Sequence, residues 1–122
     1  MPWQEKYQLQ NEVMDQTHQE FIELLSQLNQ AKGSEFVDRF YSLQAHIQQH
    51  FDQELQWMKK SGFSATVEHH DDHQRILGEL NQMSLRLRPG TLPLVKAWAS
   101  DRLPRWFELH VSTMDSALAS SL

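Results

Sequence analysis

The chain has 122 residues, 39% hydrophobic and 22% charged, ordinary for a globular protein and enough for one buried core. Sixteen acidic residues against eleven basic ones give a net charge of −5, and the densest basic spots are only Lys59-Lys60 and Arg86/Arg88, which argues against nucleic acid or an anionic membrane as partner. There is no cysteine, so disulfides, iron–sulfur clusters, thiolate zinc sites and cysteine nucleophiles are excluded.

A short N-terminal arm carrying Trp3, Tyr7 and Leu9 precedes the first helical pattern, from about Asn11 to Lys32. There Val13, Met14, Phe21, Leu24, Leu25 and Leu28 recur at three- and four-residue spacings, and Gly33 stands where a C-terminal cap belongs. Ser34 can cap the second segment, whose apolar stripe runs through Phe36, Phe40, Leu43, Ile47, Phe51, Leu55 and Met58 to a stop at Ser61-Gly62. The third opens near Ser64 to Thr66 and runs to about Arg88, where Pro89-Gly90 ends it. The fourth covers about Leu92 to Leu118, with Pro93 suited to its first turn. Pro104 is not suited to a helix interior, so a kink, or a helix restarting near Asp101, is expected there.

Short connections between long helices favour antiparallel neighbours. The expected fold is therefore all-α, an up-down-up-down four-helix bundle with a short N-terminal arm, forming one domain over residues 1–122. No window approaches the roughly 18 apolar residues of a membrane span, and the N-terminus lacks a signal-peptide pattern, so the cytoplasm is the default address.

Histidine is the anomaly, with residues at 18, 46, 50, 69, 70, 73 and 110. Residues four apart in a helix share a face, which pairs His50 with Glu54 and His69 with His73. His110 and Asp115 are five apart, about 140° around an α-helix, and share a face only loosely. Both reach one inward site if the longer contact is a bridging carboxylate. With His18 on the first helix, every helix offers a nitrogen or oxygen donor. Five imidazoles and two carboxylates suit Fe, Zn or Mn and are too many for one tetrahedral zinc. They suffice for two metals sharing both carboxylates and a solvent-derived bridge. A lone helical histidine is usually a surface or satisfied core group; the spread over four helices outweighs that reading.

Nearly the whole chain resembles the hemerythrin family. The motifs that carry the resemblance are Asp15-x-x-His18, His50-Phe51-x-x-Glu54-x-x-x-Met58, His69-x-x-x-His73 after the Gly62-Phe63 turn, and Trp106-x-x-x-His110-x-x-x-x-Asp115, with Trp3 placed as in bacterial members. The resemblance implies a non-haem di-iron centre with an oxo or hydroxo bridge. His69, His73 and His110 would ligate one iron, His18 and His50 the other, and Glu54 and Asp115 would bridge them. Dioxygen would bind end-on at an open position of the second iron. The implied function is dioxygen storage, delivery or sensing without enzymatic turnover. The same site could instead handle nitric oxide or peroxide.

The ligand balance agrees with a carrier or sensor, because the Glu-x-x-His pairs of carboxylate-rich di-iron bundles do not occur. The chain stops soon after the fourth helix, so a sensing role would require a separate, unidentified protein partner. His70-Asp71 also prompts a metal phosphohydrolase reading, which generally needs a longer chain. Phe107 stands where the family usually has Leu beside the dioxygen site, which predicts a narrowed pocket. Of the other polar residues, His46 is expected in a second layer or facing solvent, His70 on the surface, Glu108 on the solvent side, and Asp15 holding the start of the first helix. Trp57, Trp98 and Trp106 are expected to pack, with Trp106 shielding the site.

Overall fold

The computed structural model describes residues 3–122, which form a four-helix bundle with no strand among them. Helix α1 spans Glu12–Gln30, α2 Ser34–Ser61 and α3 Thr66–Ser84. Helix α4 covers residues 92–121 and alternates between two geometries. It is α-helical at Leu92–Ala97, Leu103–His110 and Ser116–Ser121, with wider π-helical turns at Trp98–Arg102 and Val111–Asp115. No helix among the described residues is long and apolar enough to cross a membrane.

The helix ends follow local chemistry. The Asn11 side chain accepts the Met14 amide at 3.1 Å and so starts α1. Gly33 does not close α1, which is capped two residues earlier at Ala31; it stands instead before α2, at φ 60 and ψ −135, where a side chain would be strained. Ser34 is accordingly the first residue of α2 rather than its cap. Gly62 ends α2 in the left-handed conformation, and its amide and that of Phe63 both return to the Met58 carbonyl. Helix α3 stops at Ser84, short of the expected Arg88, and turns carry the chain to α4.

Pro104 neither breaks α4 nor forces a restart near Asp101. The π turn just before it returns the Leu103 amide to the Trp98 carbonyl, and the backbone stays helical through Arg102 and Leu103. Widening the preceding turn takes up the proline ring's steric demand.

The core has two parts. The larger holds Phe36, Phe40, Leu43, Ile47 and Phe51 of α2 against Phe21, Leu25 and Leu28 of α1 and Leu103, Trp106 and Phe107 of α4. The smaller is a plug of Met14, Met58 and Leu118, all fully buried. His18, Glu54 and Asp115 each lie about one turn from a plug residue on the same helix, so the polar cluster sits between plug and main core. Val13, expected on the α1 stripe, faces solvent at 57% exposure. Met58→Ala leaves a void in the plug and is expected to cost about 2–5 kcal/mol in urea unfolding.

The arm straps across α4. A 3-10 turn at Glu5–Tyr7 buries the Tyr7 ring, whose hydroxyl donates to Glu108 at 3.0 Å, while Lys6 pairs with the same carboxylate oxygen at 2.8 Å. Burial and Glu108 push the Tyr7 hydroxyl up to about 12. Asp15 ties the arm down from α1 by accepting the Leu9 amide at 2.8 Å.

Candidate metal centre

All seven residues singled out in the sequence converge. Six are buried outright, and the side chain of the seventh, His50, is only 8% exposed. The donor atoms form two groups, Glu54 with His69, His73, His110 and Asp115, and His18 with His50 and Glu54, each within a span of 4.8 Å.

The carboxylates join the groups by dividing their oxygens. Oε1 of Glu54 lies 2.9 Å from His69 Nε2 and 3.5 Å from His73 Nε2, while Oε2 meets His50 Nε2. Oδ1 of Asp115 lies 3.0 Å from both His69 Nε2 and His110 Nε2, while Oδ2 lies 2.9 Å from His18 Nε2. His73 Nε2 and His110 Nε2 are 3.0 Å apart.

The loose spacing of His110 and Asp115 is resolved by the π turn at Val111–Asp115, which returns the Ser116 amide to the Val111 carbonyl. One added residue per turn stacks positions five apart much as an α-helix stacks positions four apart. Asp115 thereby comes under His110.

The cluster fits a bound metal. Donors about 2.1 Å from a shared ion lie roughly 3.0 Å apart when their bonds meet at right angles. Four of the five separations in the larger group are 2.9–3.0 Å. Several contacts are close without hydrogen-bond alignment: both ring nitrogens of His18, Nδ1 of His69 and His73, and Oδ1 of Asp115 are buried with no hydrogen-bond partner. Each such atom costs about 1–3 kcal/mol in a closed core. A cation accepting lone pairs from His18 Nε2 and Asp115 Oδ1 removes two of those costs.

Electrostatics divides the imidazoles. Burial works to lower His110, but Asp115, Asp72 and Glu54 outweigh it and carry the group up to about 10. For His50 and His69 burial again lowers, and the two carboxylates reverse it to a net rise. His73 is held down by burial and by His110 and His69, so it stays neutral. Asp115 is held well below the usual carboxylate range, since His110, His18 and His69 overcome the opposing effect of burial.

Aromatic rings wall the cluster. Phe51 stacks on His73 at 3.7 Å between centroids, and Trp106 stacks on His110 at 4.6 Å, the shielding expected of it. Phe107 stacks on Phe21 at 4.4 Å and turns its edge to His18 at 5.6 Å. A cavity of about 10 Å3 remains, bounded by Ile47, Phe51, Trp106 and Phe107 on the apolar side and by His50, His110 and Asp115 on the polar side.

Asp72 is the residue that the sequence did not disclose. Its Oδ2 accepts from His110 Nδ1 at 2.7 Å and from Trp106 Nε1 at 3.1 Å, which leaves the His110 Nε2 lone pair pointing inward. The contact crosses from α3 to α4, beyond the reach of spacing within one helix. His46 is half-buried as a second-layer residue and Glu108 is partly exposed on the arm side, whereas His70, expected on the surface, is half-buried.

The hydrogen bond from His110 is the main reason the Asp72 carboxyl is held below its ordinary value. A depressed carboxylate stabilises the fold above its unfolded pKa, and that contribution fades as pH falls through the folded value. In metal-free protein, Asp72→Asn is expected to cost about 1–2 kcal/mol at pH 7, because a neutral amide oxygen still accepts the bond. Urea unfolding repeated at lower pH should narrow the gap between variant and wild type.

Fold and cluster define a class of protein, a four-helix bundle enclosing a buried histidine–carboxylate metal site. Residues 9–122 match the Hemerythrin HHE cation binding domain, and the chain belongs to the hemerythrin family. It is similar to the Bacteriohemerythrin of Ralstonia nicotianae, 28% identical over 120 residues that cover 98% of this chain and 87% of that protein. No solved structure matches it.

Proposed function

We propose that the protein binds dioxygen reversibly at a di-iron centre. In this reading His69, His73 and His110, with Oε1 of Glu54 and Oδ1 of Asp115, hold one ion through five protein donors. His18 and His50, with Oε2 of Glu54 and Oδ2 of Asp115, hold the second through four. Iron of variable valence would supply the two electrons that dioxygen takes up on binding and returns on release.

The observation that carries the reading is the cavity. Its volume of about 10 Å3 accommodates a body near the size of one water molecule, and His50 of the four-donor group is part of its wall. With four protein donors rather than five, the second ion would be the one with room for a further ligand, and the cavity beside His50 would widen by side-chain movement to take a diatomic molecule. Phe51, Trp106 and Phe107 keep that space apolar, which disfavours water and stray protons. Asp72 fixes the His110 ring, and the two carboxylates hold the groups in register. Five neutral imidazoles with only two carboxylates favour reversible binding over oxygen activation, a binding protein rather than an enzyme.

The test is an anaerobic absorption spectrum of iron-reduced protein, followed by air and then argon. A visible charge-transfer band that appears in air and fades under argon supports the proposal. Immediate, irreversible conversion to a ferric spectrum sinks it in favour of nitric oxide or peroxide handling at the same donors. Phe107→Leu is expected to speed dioxygen binding without moving the band, because the ring bounds the cavity and donates nothing to a metal.

A further inference from the structure

Six of the seven cluster side chains are 2% exposed or less, and the rings of Phe51 and Trp106 cover the His73 and His110 side. His50 alone reaches a solvent groove. The groove, about 260 Å3, lies between α1 and α2, with Thr17 and Glu20 on one wall and His46, Gln49 and Gln53 on the other.

His46 and Glu20 face each other across this groove. The His46 Nε2–H donates to the Thr17 carbonyl at 3.3 Å, so in the neutral ring Nδ1 carries the lone pair. That Nδ1 lies 4.0 Å from Oε2 of Glu20. Imidazole and carboxylate bonds to a transition metal are each about 2.0–2.2 Å, so an ion fits between the two atoms with little movement of the exposed Glu20 side chain. His46 and His50 are one turn apart on α2, their ring centroids 6.3 Å from each other. An ion held at the first is a single short step from the second.

We propose that His46 and Glu20 form a staging site for a divalent transition-metal ion, and that the α1–α2 groove is the route by which it reaches His50 and the buried centre. The proposal rests on the metal-centre reading above. The site supplies two protein donors and leaves the other positions to water, so it binds weakly and passes its ion inward. Its role is in the rate of loading, not in the final occupancy.

Stopped-flow mixing of metal-free protein with Co2+ tests this, with absorbance reporting arrival at the centre. The double variant Glu20→Gln, His46→Gln is expected to load roughly tenfold more slowly, the lower end of what outer metal partners typically contribute, and to reach the same final absorbance. Glu20→Gln alone should show part of the effect. Glu23→Gln, the same loss of charge at an exposed position on α1, should load at the wild-type rate. An unchanged rate in the double variant overturns the staging site and leaves the centre intact, as does equal slowing by Glu23→Gln, which would mark a general effect of charge. Wild-type protein that takes up no Co2+ would overturn the centre itself, and the route with it.

Discussion

Removing metal is expected to lower the melting temperature by about 15 °C. A ligand held by the folded state alone stabilises it by about 4 kcal/mol when present at a thousand times its dissociation constant. For a chain of 122 residues, about 4 °C of melting temperature corresponds to each kcal/mol. The folded apo protein offsets only part of the cost of its seven clustered groups, with His110 protonated against Asp115 and Asp72 while several ring nitrogens stay without a hydrogen-bond partner. Differential scanning calorimetry of chelator-treated and iron-loaded samples gives the difference directly. Equal melting temperatures would contradict the site as drawn.

The size of that difference depends on pH, with a determined sign. In the metal-free fold His110 is carried up to about 10, from its ordinary value near 6.5. Its proton therefore stabilises the apo fold below about pH 6.5, and the benefit is lost as pH rises towards 10. The loaded fold does not share this, because a ligating imidazole nitrogen holds no proton. Between those limits His110 alone should make the advantage of loaded over apo protein grow by about 1.4 kcal/mol per pH unit, with His50 and His69 adding in the same direction. A difference that shrank from pH 7 to pH 9 would remove His110 from the set of ligands.

The parts of the site legible in the sequence are those set by the regular α-helical period. His50 with Glu54 and His69 with His73 lie four apart, and the structure places each pair on one inward face. The link from His110 to Asp115 was only half legible. It depends on a wide turn at Val111–Asp115, and widening is a decision of the packed backbone that a 100° wheel does not contain. Pro104 misled for the same reason, since the turn at Trp98–Arg102 accommodates it upstream. Asp72 was hidden because its partners lie on another helix, 34 and 38 residues away. Gly33 was identified as a position needing glycine, but which helix it serves depends on where α1 releases the chain, and Ala31 does so first.

Asp115→Ala is expected to weaken metal binding at least a thousandfold, more than loss of any single histidine. Its two oxygens serve both groups, Oδ1 beside His69 and His110 and Oδ2 beside His18, so one substitution removes a donor from each. Charge makes the loss steeper. In the proposed di-iron centre two divalent ions would bring four positive charges to five neutral imidazoles and two carboxylates, and Asp115 would supply half of those carboxylates' compensation. A carboxylate about 3 Å from a unit charge contributes on the order of 5 kcal/mol at an effective dielectric constant near 20, several times what an uncharged nitrogen donor can replace. The metal-free fold is also weakened, by about 3–5 kcal/mol, because a buried charge partner of three histidines disappears. The two effects separate by titration: isothermal calorimetry reads the affinity, and urea unfolding of the apo variant reads the fold. A variant that still binds two irons with wild-type affinity would show that Asp115 does not bridge, and would leave the π turn at Val111–Asp115 without the role assigned to it.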